Sequence, residues 1–380
     1  MSSFILLIAV AALGLITGSF LNAAIYRLPR GISLLDPKRS FCPSCGKTIP
    51  WHENLPVASW VILRGKCSGC ALPIAMRYPL VELLTGGLYL LAWERFGLPM
   101  APMFWIFLSL LVAATFIDID HLIIPDEITL GGTAAGLLCA TVVPQLMEES
   151  LWWKGFLFSA LGAASGYFLL WGVVELGKLA FGKRRIHYEE PQSLEIVSRG
   201  DDVILKLGEE ELPLVEFYYR ASDRVEAECL WLEIVGERLG AGRLFIENDQ
   251  VVYEEKDAVT RAWPFSALPD DIALETSVAK LTFPREAMGF GDVKFLACIG
   301  AFLGWKGVLF SLFSGSVIGA VIGVAMLLIT RGRSGGRIPF GPYLALGALA
   351  WLICGPELLA LYEARLQGAT FFLSSLRQIG

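Results

Sequence analysis

Charge is scarce in this sequence. Only 18% of its 380 residues are Asp, Glu, Lys or Arg, whereas about a quarter is usual in a soluble domain. Hydrophobic residues make up 55% of the chain, and the mean hydropathy is +0.58. This composition excludes an ordinary soluble globular protein. The sequence also lacks an internal repeat, which argues against a transporter built from two repeated halves.

Eight apolar stretches are long enough, or nearly so, to cross a bilayer as helices. Two of them are weaker, because one contains Glu82 and the other is short and begins beside Lys294. The stretches cover residues 4–26, 78–93, 101–117, 128–146, 156–174, 295–305, 308–330 and 338–356. We therefore expect an all-α polytopic membrane protein with about eight transmembrane helices.

Lys and Arg residues cluster in alternate loops. Residues 27–77 contain eight of them, and Arg331, Arg333 and Arg337 precede the last apolar stretch. Because basic loops are retained in the cytosol, the sequence predicts that both loops are cytosolic and that both termini face outside. The first stretch has no basic start, and its positive charges follow it, so we expect a retained anchor and not a cleaved signal peptide.

The composition changes between residues 183 and 284, where 22 acidic residues stand against 12 basic ones. This net charge of −10 predicts an acidic soluble domain inserted into a mildly basic membrane body. Runs of β type separated by turn residues predict small antiparallel β structure. These runs are 194–197, 203–207, 214–219, 244–247 and 251–253.

The predicted layout has five parts. They are a first transmembrane helix (1–27), a cytosolic zinc-ribbon loop (28–77), helices two to five (78–182), the cytosolic β-rich insert (183–284) and helices six to eight with a tail (285–380). We expect the insert to dock a cytosolic partner, or a basic peptide through charge attraction, although the sequence does not identify that partner. No nucleic-acid partner is expected.

Four cysteines in the first cytosolic loop form two C-x2-C pairs with 21 residues between them. They are Cys42, Cys45, Cys67 and Cys70. This spacing is typical of a zinc ribbon, in which four thiolates surround one tetrahedral Zn²⁺, and Gly46 and Gly69 suit the turns around the metal. Four thiolates leave no open position for water, so the zinc would be structural. Free or redox-active cysteines are the alternative.

Two aspartates stand at the ends of apolar stretches. Asp118 closes the third stretch within FIDIDH, and Asp292 opens the sixth within GFGDVK. The predicted topology puts both at the cytosolic edge, where an ionised and a protonated carboxyl group could activate water to attack an amide. Two other interpretations stay open from the residues alone. Each aspartate could cap a helix or lie among headgroups, or the pair could serve a proton- or ion-coupled transporter.

The ordered motifs resemble those of the prepilin peptidases, or type IV leader peptidases, a family of Gly-x-Gly-Asp intramembrane aspartyl proteases. The matching elements include the two cysteine pairs and extend along nearly all of the membrane body. They are 18–22 (GSFLN), 27–29 (RLP), 51–56 (WHENLP), 77–82 (RYPLVE), 117–126 (IDIDHLIIPD), 289–294 (GFGDVK) and 338–343 (IPFGPY).

The resemblance implies that Asp118 and Asp292 are the catalytic pair. It implies pilin-like precursors as substrates, cut after a glycine that ends a short basic leader, in type IV pilus or type II secretion systems. It also implies N-methylation of the new terminus with S-adenosylmethionine. The sequence has no glycine-rich methyltransferase motif, so no residue is assigned to that cofactor, and we place the activity in the loop that carries Glu53 and the cysteines.

The resemblance further implies a multi-pass protein of the bacterial inner membrane, with its active site at the cytosolic face. The acidic insert departs from the family pattern, because it replaces a short link before residue 289. A peptidase for other membrane proteins and an inactive assembly scaffold are the remaining alternatives.

Overall fold

The computed structural model describes residues 2–37, 39–181, 183–199, 202–207, 210–213, 224–247, 249–255, 260–265, 272–284, 289–329 and 339–377. The chain divides into two compact units. One comprises Met1–Trp171 with Gly289–Gly380, and the other is Gly172–Met288. The first unit is mostly helical and the second contains a β-sheet. The prediction of a mostly helical chain with a β-rich insert is therefore confirmed.

The described residues form eight α-helices. They are α1 (Ser2–Arg27), α2 (Ala58–Ile62), α3 (Arg77–Phe96), α4 (Met100–His121), α5 (Asp126–Val142), α6 (Trp152–Phe181), α7 (Phe290–Ile329) and α8 (Gly341–Arg377). Four segments are long and apolar enough to cross a membrane: Phe4–Arg30, Met100–His121, Trp152–Gly177 and Phe290–Ile329. The protein is thus a membrane protein, while the count of about eight crossings stays a prediction.

The chain folds back on itself within α7, at Gly304. This residue has φ 67° and ψ 179°, which is outside the helical region. A Cβ atom added at Gly300 would lie 2.8 Å from Cγ2 of Val308, although residues eight apart in a straight helix are separated by about 12 Å. The apolar stretches 295–305 and 308–330, predicted as separate helices, are therefore the two legs of α7.

Glycines allow the membrane helices to approach closely. A Cβ atom added at Gly18 of α1 would lie 2.6 Å from Cα of Glu82 on α3, and one added at Gly162 of α6 would lie 2.2 Å from the carbonyl oxygen of Gly300 on α7. Small residues let helix backbones pack tightly where a bilayer gives little hydrophobic drive for association. The GSFLN motif therefore has a packing role at its first residue.

The second unit is a nine-stranded antiparallel sheet. Its strands are β1 (Lys183–Arg199), β2 (Asp202–Leu207), β3 (Glu210–Pro213), β4 (Val225–Ile234), β5 (Glu237–Leu239), β6 (Gly242–Ile246), β7 (Gln250–Glu255), β8 (Arg261–Pro264) and β9 (Ile272–Pro284). The strand order is β3-β2-β1-β9-β4-β6-β7-β8, with β5 paired to β4. Alternate residues such as Leu194, Leu232 and Tyr253 form its buried apolar core. The β run predicted at 214–219 lies outside the described residues.

Candidate active site and cysteine cluster

Asp118 lies in the last turn of α4, and its side chain is almost completely buried, at 4% exposed. The helix continues past it to His121 and ends at Leu122, which has a left-handed φ of 56° and donates its N–H to the carbonyl oxygen of Asp118. Asp118 is therefore not a cap of its own helix, and its side chain is enclosed by other parts of the protein.

Asp292 is the third residue of α7 and is 8% exposed. Because the helix begins at Phe290, Asp292 does not occupy the N-cap position. A Cβ atom at Gly291 would lie 3.4 Å from the backbone nitrogen of Ile124, so the start of α7 packs against the segment that follows α4. The carboxyl groups of Asp292 and Asp118 are close enough to interact electrostatically. The two aspartates identified from sequence are thus brought together from separate helices.

Gly341, the first residue of α8, completes this cluster. Its backbone N–H donates a hydrogen bond to Oδ2 of Asp118 at 2.9 Å. A Cβ atom at this position would lie 2.6 Å from the same oxygen and 2.9 Å from Cδ1 of Ile124. Sequence reasoning noted the IPFGPY motif but gave Gly341 no role; the glycine at the start of a helix was the available signal.

Two ion pairs flank the aspartates. Arg77, at the start of α3, pairs with Asp120 and donates to the carbonyl oxygen of Phe116 at 2.9 Å. Lys294 of α7 pairs with Asp126 of α5, with Nζ and Oδ1 2.6 Å apart. The neighbouring acidic residues Asp120 and Asp126 therefore each have a basic partner.

The four predicted cysteines form one cluster. The Sγ atoms of Cys42, Cys45, Cys67 and Cys70 all lie within 4.8 Å of one another, and those of Cys42 and Cys70 are 3.9 Å apart. Sulfur atoms around a tetrahedral Zn²⁺ with 2.3 Å bonds would be about 3.8 Å apart. Hydrogen bonds from the backbone N–H groups of Cys70 and Gly69 lower the pKa of the Cys67 thiol to about 6. Burial and hydrogen bonds from the other cysteines raise the pKa of the Cys70 thiol to about 11, so Cys67 favours the thiolate form that binds metals and Cys70 does not.

The two cysteine knuckles share one backbone pattern. The N–H of Cys42 donates to the carbonyl oxygen of Lys47, and that of Cys67 donates to Leu72, both at 2.9 Å. The left-handed residue is Gly46 in the first knuckle, as expected, but Ala71 in the second. Gly69 instead makes room for a neighbour, because an added Cβ would lie 2.9 Å from Cδ of Lys47. Gly69 therefore lies in the second turn, as predicted, but it is suited to that turn by its small size and not by a left-handed conformation.

A cavity of about 190 Å³ lies beside the cysteine cluster, between the loop and helices α1 and α3. Glu53 and Glu82 line it together with Trp60 and Tyr78. The buried Glu82 carboxylate accepts the N–H of Val57 at 2.7 Å. The cavity thus combines two acidic groups with two aromatic rings, which is a suitable environment for a positively charged ligand.

Glu53 connects the two knuckles. It accepts a hydrogen bond from Ser68 and lies 3.5 Å from Nζ of Lys47, which itself donates to Ser68 Oγ at 2.7 Å. The hydrogen bond from Ser68 lowers the pKa of the Glu53 carboxyl group. Glu53 is therefore held as a carboxylate at the edge of the cavity.

These features define a class of protein: a mostly helical membrane protein with a buried aspartate pair and a separate four-cysteine cluster. The chain belongs to the type IV leader peptidase family. A family model with that description matches residues 105–183 and 262–324, and a model described as the bacterial peptidase A24 N-terminal domain matches residues 12–96. Residues 184–261, most of the insert, fall outside both matches.

Several curated relatives share the printed name prepilin leader peptidase/N-methyltransferase. The protein of Myxococcus xanthus is 42% identical over 195 residues, covering 44% of this chain and 57% of its own length. That of Stutzerimonas stutzeri is 28% identical over 376 residues, covering 92% and 91%. That of Klebsiella pneumoniae is 40% identical over 186 residues, covering 46% and 76%. No solved structure matches the chain.

Proposed function

We propose that the protein is a prepilin leader peptidase that removes the short basic leader of pilin-like precursors. The observation that carries this proposal is the burial of Asp118 and Asp292 side by side, at the end of α4 and the start of α7. An ionisable group within a membrane-spanning segment costs free energy, so its presence there indicates a function. Membership of the family and the names of the relatives support the same activity.

The proposed mechanism gives the two aspartates different roles. Asp118 accepts a hydrogen bond from the first N–H of α8, and the positive end of a helix dipole favours a negative charge. We therefore take Asp118 as the carboxylate and Asp292 as the protonated partner, since two adjacent carboxyl groups share one proton more easily than they both ionise.

In the reaction, Asp118 removes a proton from water, and the water oxygen attacks the carbonyl carbon of the scissile amide. Asp292 donates its proton to the carbonyl oxygen, which gives a tetrahedral intermediate. The intermediate then collapses. Asp118 returns its proton to the departing amine, and Asp292 recovers the hydroxyl proton. Both carboxyl groups end in their starting states.

We further propose that the cysteine cluster holds one structural zinc ion. Its four thiolates fit the tetrahedral site expected of a ribbon, and four protein ligands exclude water from the metal. The zinc would fix the two knuckles and, through Ser68, the position of Glu53. It would not take part in amide hydrolysis.

The second proposed activity is methylation of the new N-terminus, which the names of the relatives support. S-adenosylmethionine would supply an electrophilic methyl group when bound. The cavity lined by Glu53, Glu82, Trp60 and Tyr78 fits the positive charges of a sulfonium and of an amino terminus, because carboxylates and aromatic faces both attract cations.

We propose eight membrane crossings, with the two legs of α7 as the sixth and seventh. The layout then has the first helix at 1–27, the zinc loop at 28–77, helices two to five at 78–182, the insert at 183–284 and the last helices at 285–380. In this layout the aspartates, the cysteine loop and the insert all face the cytosol of the bacterial inner membrane.

The proposal is tested by incubating the purified full-length protein in detergent with a pilin-like precursor. Mass spectrometry of the products should show one cut, after the glycine that ends the basic leader. Addition of S-adenosylmethionine should then increase the mass of the mature product by one methyl group. An intact precursor, or cuts at unrelated positions, would contradict the assignment.

A further inference from the structure

The β-sheet unit carries a basic pocket that the peptidase chemistry does not use. Its volume is about 400 Å³, and four of its nine lining residues are basic: Arg185, Arg224, Arg243 and Lys280. These are a third of the insert's 12 basic residues, although the insert as a whole carries a net charge of −10. Positive charge is thus concentrated at one place in an acidic domain.

The strand register brings the basic side chains to one face. Lys280 on β9 lies opposite His187 on β1 and Glu228 on β4. Glu228 in turn lies opposite Arg243 on β6. Arg185 precedes His187 by two residues and therefore points to the same face. The intervening residues form the apolar core on the other side.

The charges of this pocket do not cancel. Its two carboxylates already have partners, since Glu228 lies 2.9 Å from Nζ of Lys280 and Glu226 lies 3.4 Å from Nε of Arg224. Among the residues that the structure describes, neither Arg185 nor Arg243 forms an ion pair. Both side chains are exposed. Two guanidinium groups therefore remain available to an anion.

The pocket has an apolar floor beneath its basic rim. Phe245 is only 7% exposed, and the guanidinium group of Arg224 lies over its ring at 4.4 Å. Thr282 beside it is also 7% exposed. A floor of this kind suits a ligand whose anionic group is attached to carbon chains.

The strand ends that carry the pocket are also the ends at which the chain enters and leaves the sheet. Arg185 follows Phe181, the last residue of α6, by four residues. Thr282 likewise precedes Phe290, the first residue of α7, by eight residues. The residues of the pocket thus lie close in sequence to the helices on either side of the sheet.

The far ends of the same strands carry carboxylates next to basic residues. Glu275 on β9 lies opposite Glu195 on β1 and opposite Glu233 on β4. Glu195 and Glu233 lie in turn opposite Lys206 on β2 and Arg238 on β5, so this end of the sheet carries both signs of charge.

We propose that this pocket binds the headgroup of an anionic phospholipid in the membrane that the adjoining helices cross. Juxtamembrane basic residues are attracted to anionic lipid surfaces, and guanidinium groups bind phosphate through two parallel hydrogen bonds. Binding would fix the orientation of the insert relative to the bilayer.

The test uses the full-length protein in detergent and native mass spectrometry, with phosphatidylglycerol or phosphatidylcholine added in increasing amounts. The double variant Arg185→Gln/Arg243→Gln should bind one phosphatidylglycerol fewer, or with about tenfold lower affinity. Phosphatidylcholine binding should not change. The matched control is Arg238→Gln/Arg261→Gln, which removes equal charge from the same sheet outside the pocket and should behave as wild type.

Two further measurements distinguish lost lipid recognition from misfolding and from the binding of a soluble anion. Arg185→Lys/Arg243→Lys retains the charge and should keep most of the binding, which separates lost recognition from misfolding. Inorganic phosphate at millimolar concentration should leave the lipid bound. Equal lipid binding by the double variant and its control would overturn the proposal, and full displacement by inorganic phosphate would assign the pocket to a soluble anion.

Discussion

The backbone N–H of Gly341 donates a hydrogen bond to Oδ2 of Asp118 at 2.9 Å, joining the start of α8 to the end of α4. The contact directs a helix N-terminus at one member of a buried carboxyl pair. It gives a physical reason for unequal roles, since the dipole stabilises the ionised form of Asp118 but has no such contact with Asp292 among the described residues. We expect the activity of both aspartates to depend on the close approach of Gly341 to Asp118.

Gly341→Ala should therefore reduce cleavage by about 100-fold, because an added Cβ would lie 2.6 Å from Asp118 Oδ2 and would displace a reacting group. The rate is measured with the purified enzyme and a precursor. Gly131→Ala on α5 is the matched control, since nothing lies within 4 Å of a Cβ there. Normal cleavage by Gly341→Ala would exclude the proposed role of α8.

Gly18→Ala should lower the stability of the membrane body by about 1–3 kcal/mol, as expected when a methyl group is forced into a packed interface. The added Cβ would lie 2.6 Å from Cα of Glu82, which a rotamer change cannot relieve. Thermal unfolding in detergent measures the effect. Gly87→Ala on α3 has open space around its Cβ and should unfold at or slightly above the wild-type temperature, because alanine favours a helix over glycine; equal melting temperatures for both variants would contradict the close packing of α1 on α3.

Metal analysis of the purified protein should find one zinc per chain. Cys42→Ser and Cys70→Ser should each lose most of it, because serine is a poor ligand for the fourth position of a thiolate site. Cys354→Ser serves as the control, since that thiol lies on α8 and donates to the carbonyl oxygen of Ala350. Full zinc content in the cluster variants, or none in wild type, would contradict the metal assignment.

Glu53→Gln should separate the two proposed activities. The substitution removes a carboxylate from the cavity beside the cysteines but does not alter the aspartate pair, so methyl transfer should decrease by about tenfold while cleavage continues at the wild-type rate. Both products are measured in one assay by mass spectrometry. Glu94→Gln, at an exposed site on α3, is the control. Unchanged methylation would remove Glu53 from that activity.

Much of the site could be predicted because it depends on local pattern. The cysteine pairs are defined by spacing, and Asp118 and Asp292 by their positions at the ends of apolar stretches. Gly341 could not be given its role, since the hydrogen bond joins residues 223 positions apart. The left-handed conformation of Ala71 could not be predicted either, because glycine is the residue that usually adopts a positive φ.

The folds of α7 and of the insert show a similar limit. The two apolar legs of α7 and a break between them are predicted from sequence, but the position of the break at Gly304 gives no stronger signal than any other helical glycine. The insert could be recognised as β-rich. The pairing of β1 with β9 joins its two ends, however, and the basic pocket that results depends on that long-range register.

The most direct test of the central claim is precursor cleavage by Asp118→Asn and Asp292→Asn, with Glu127→Gln as an acidic-to-amide control on the exposed surface of α5. Each variant is purified in detergent and compared at equal, monodisperse concentration. We expect both asparagine variants to lose cleavage completely and the control to cut at the wild-type rate. Normal cleavage by either asparagine variant would show that the buried aspartates do not form the catalytic pair.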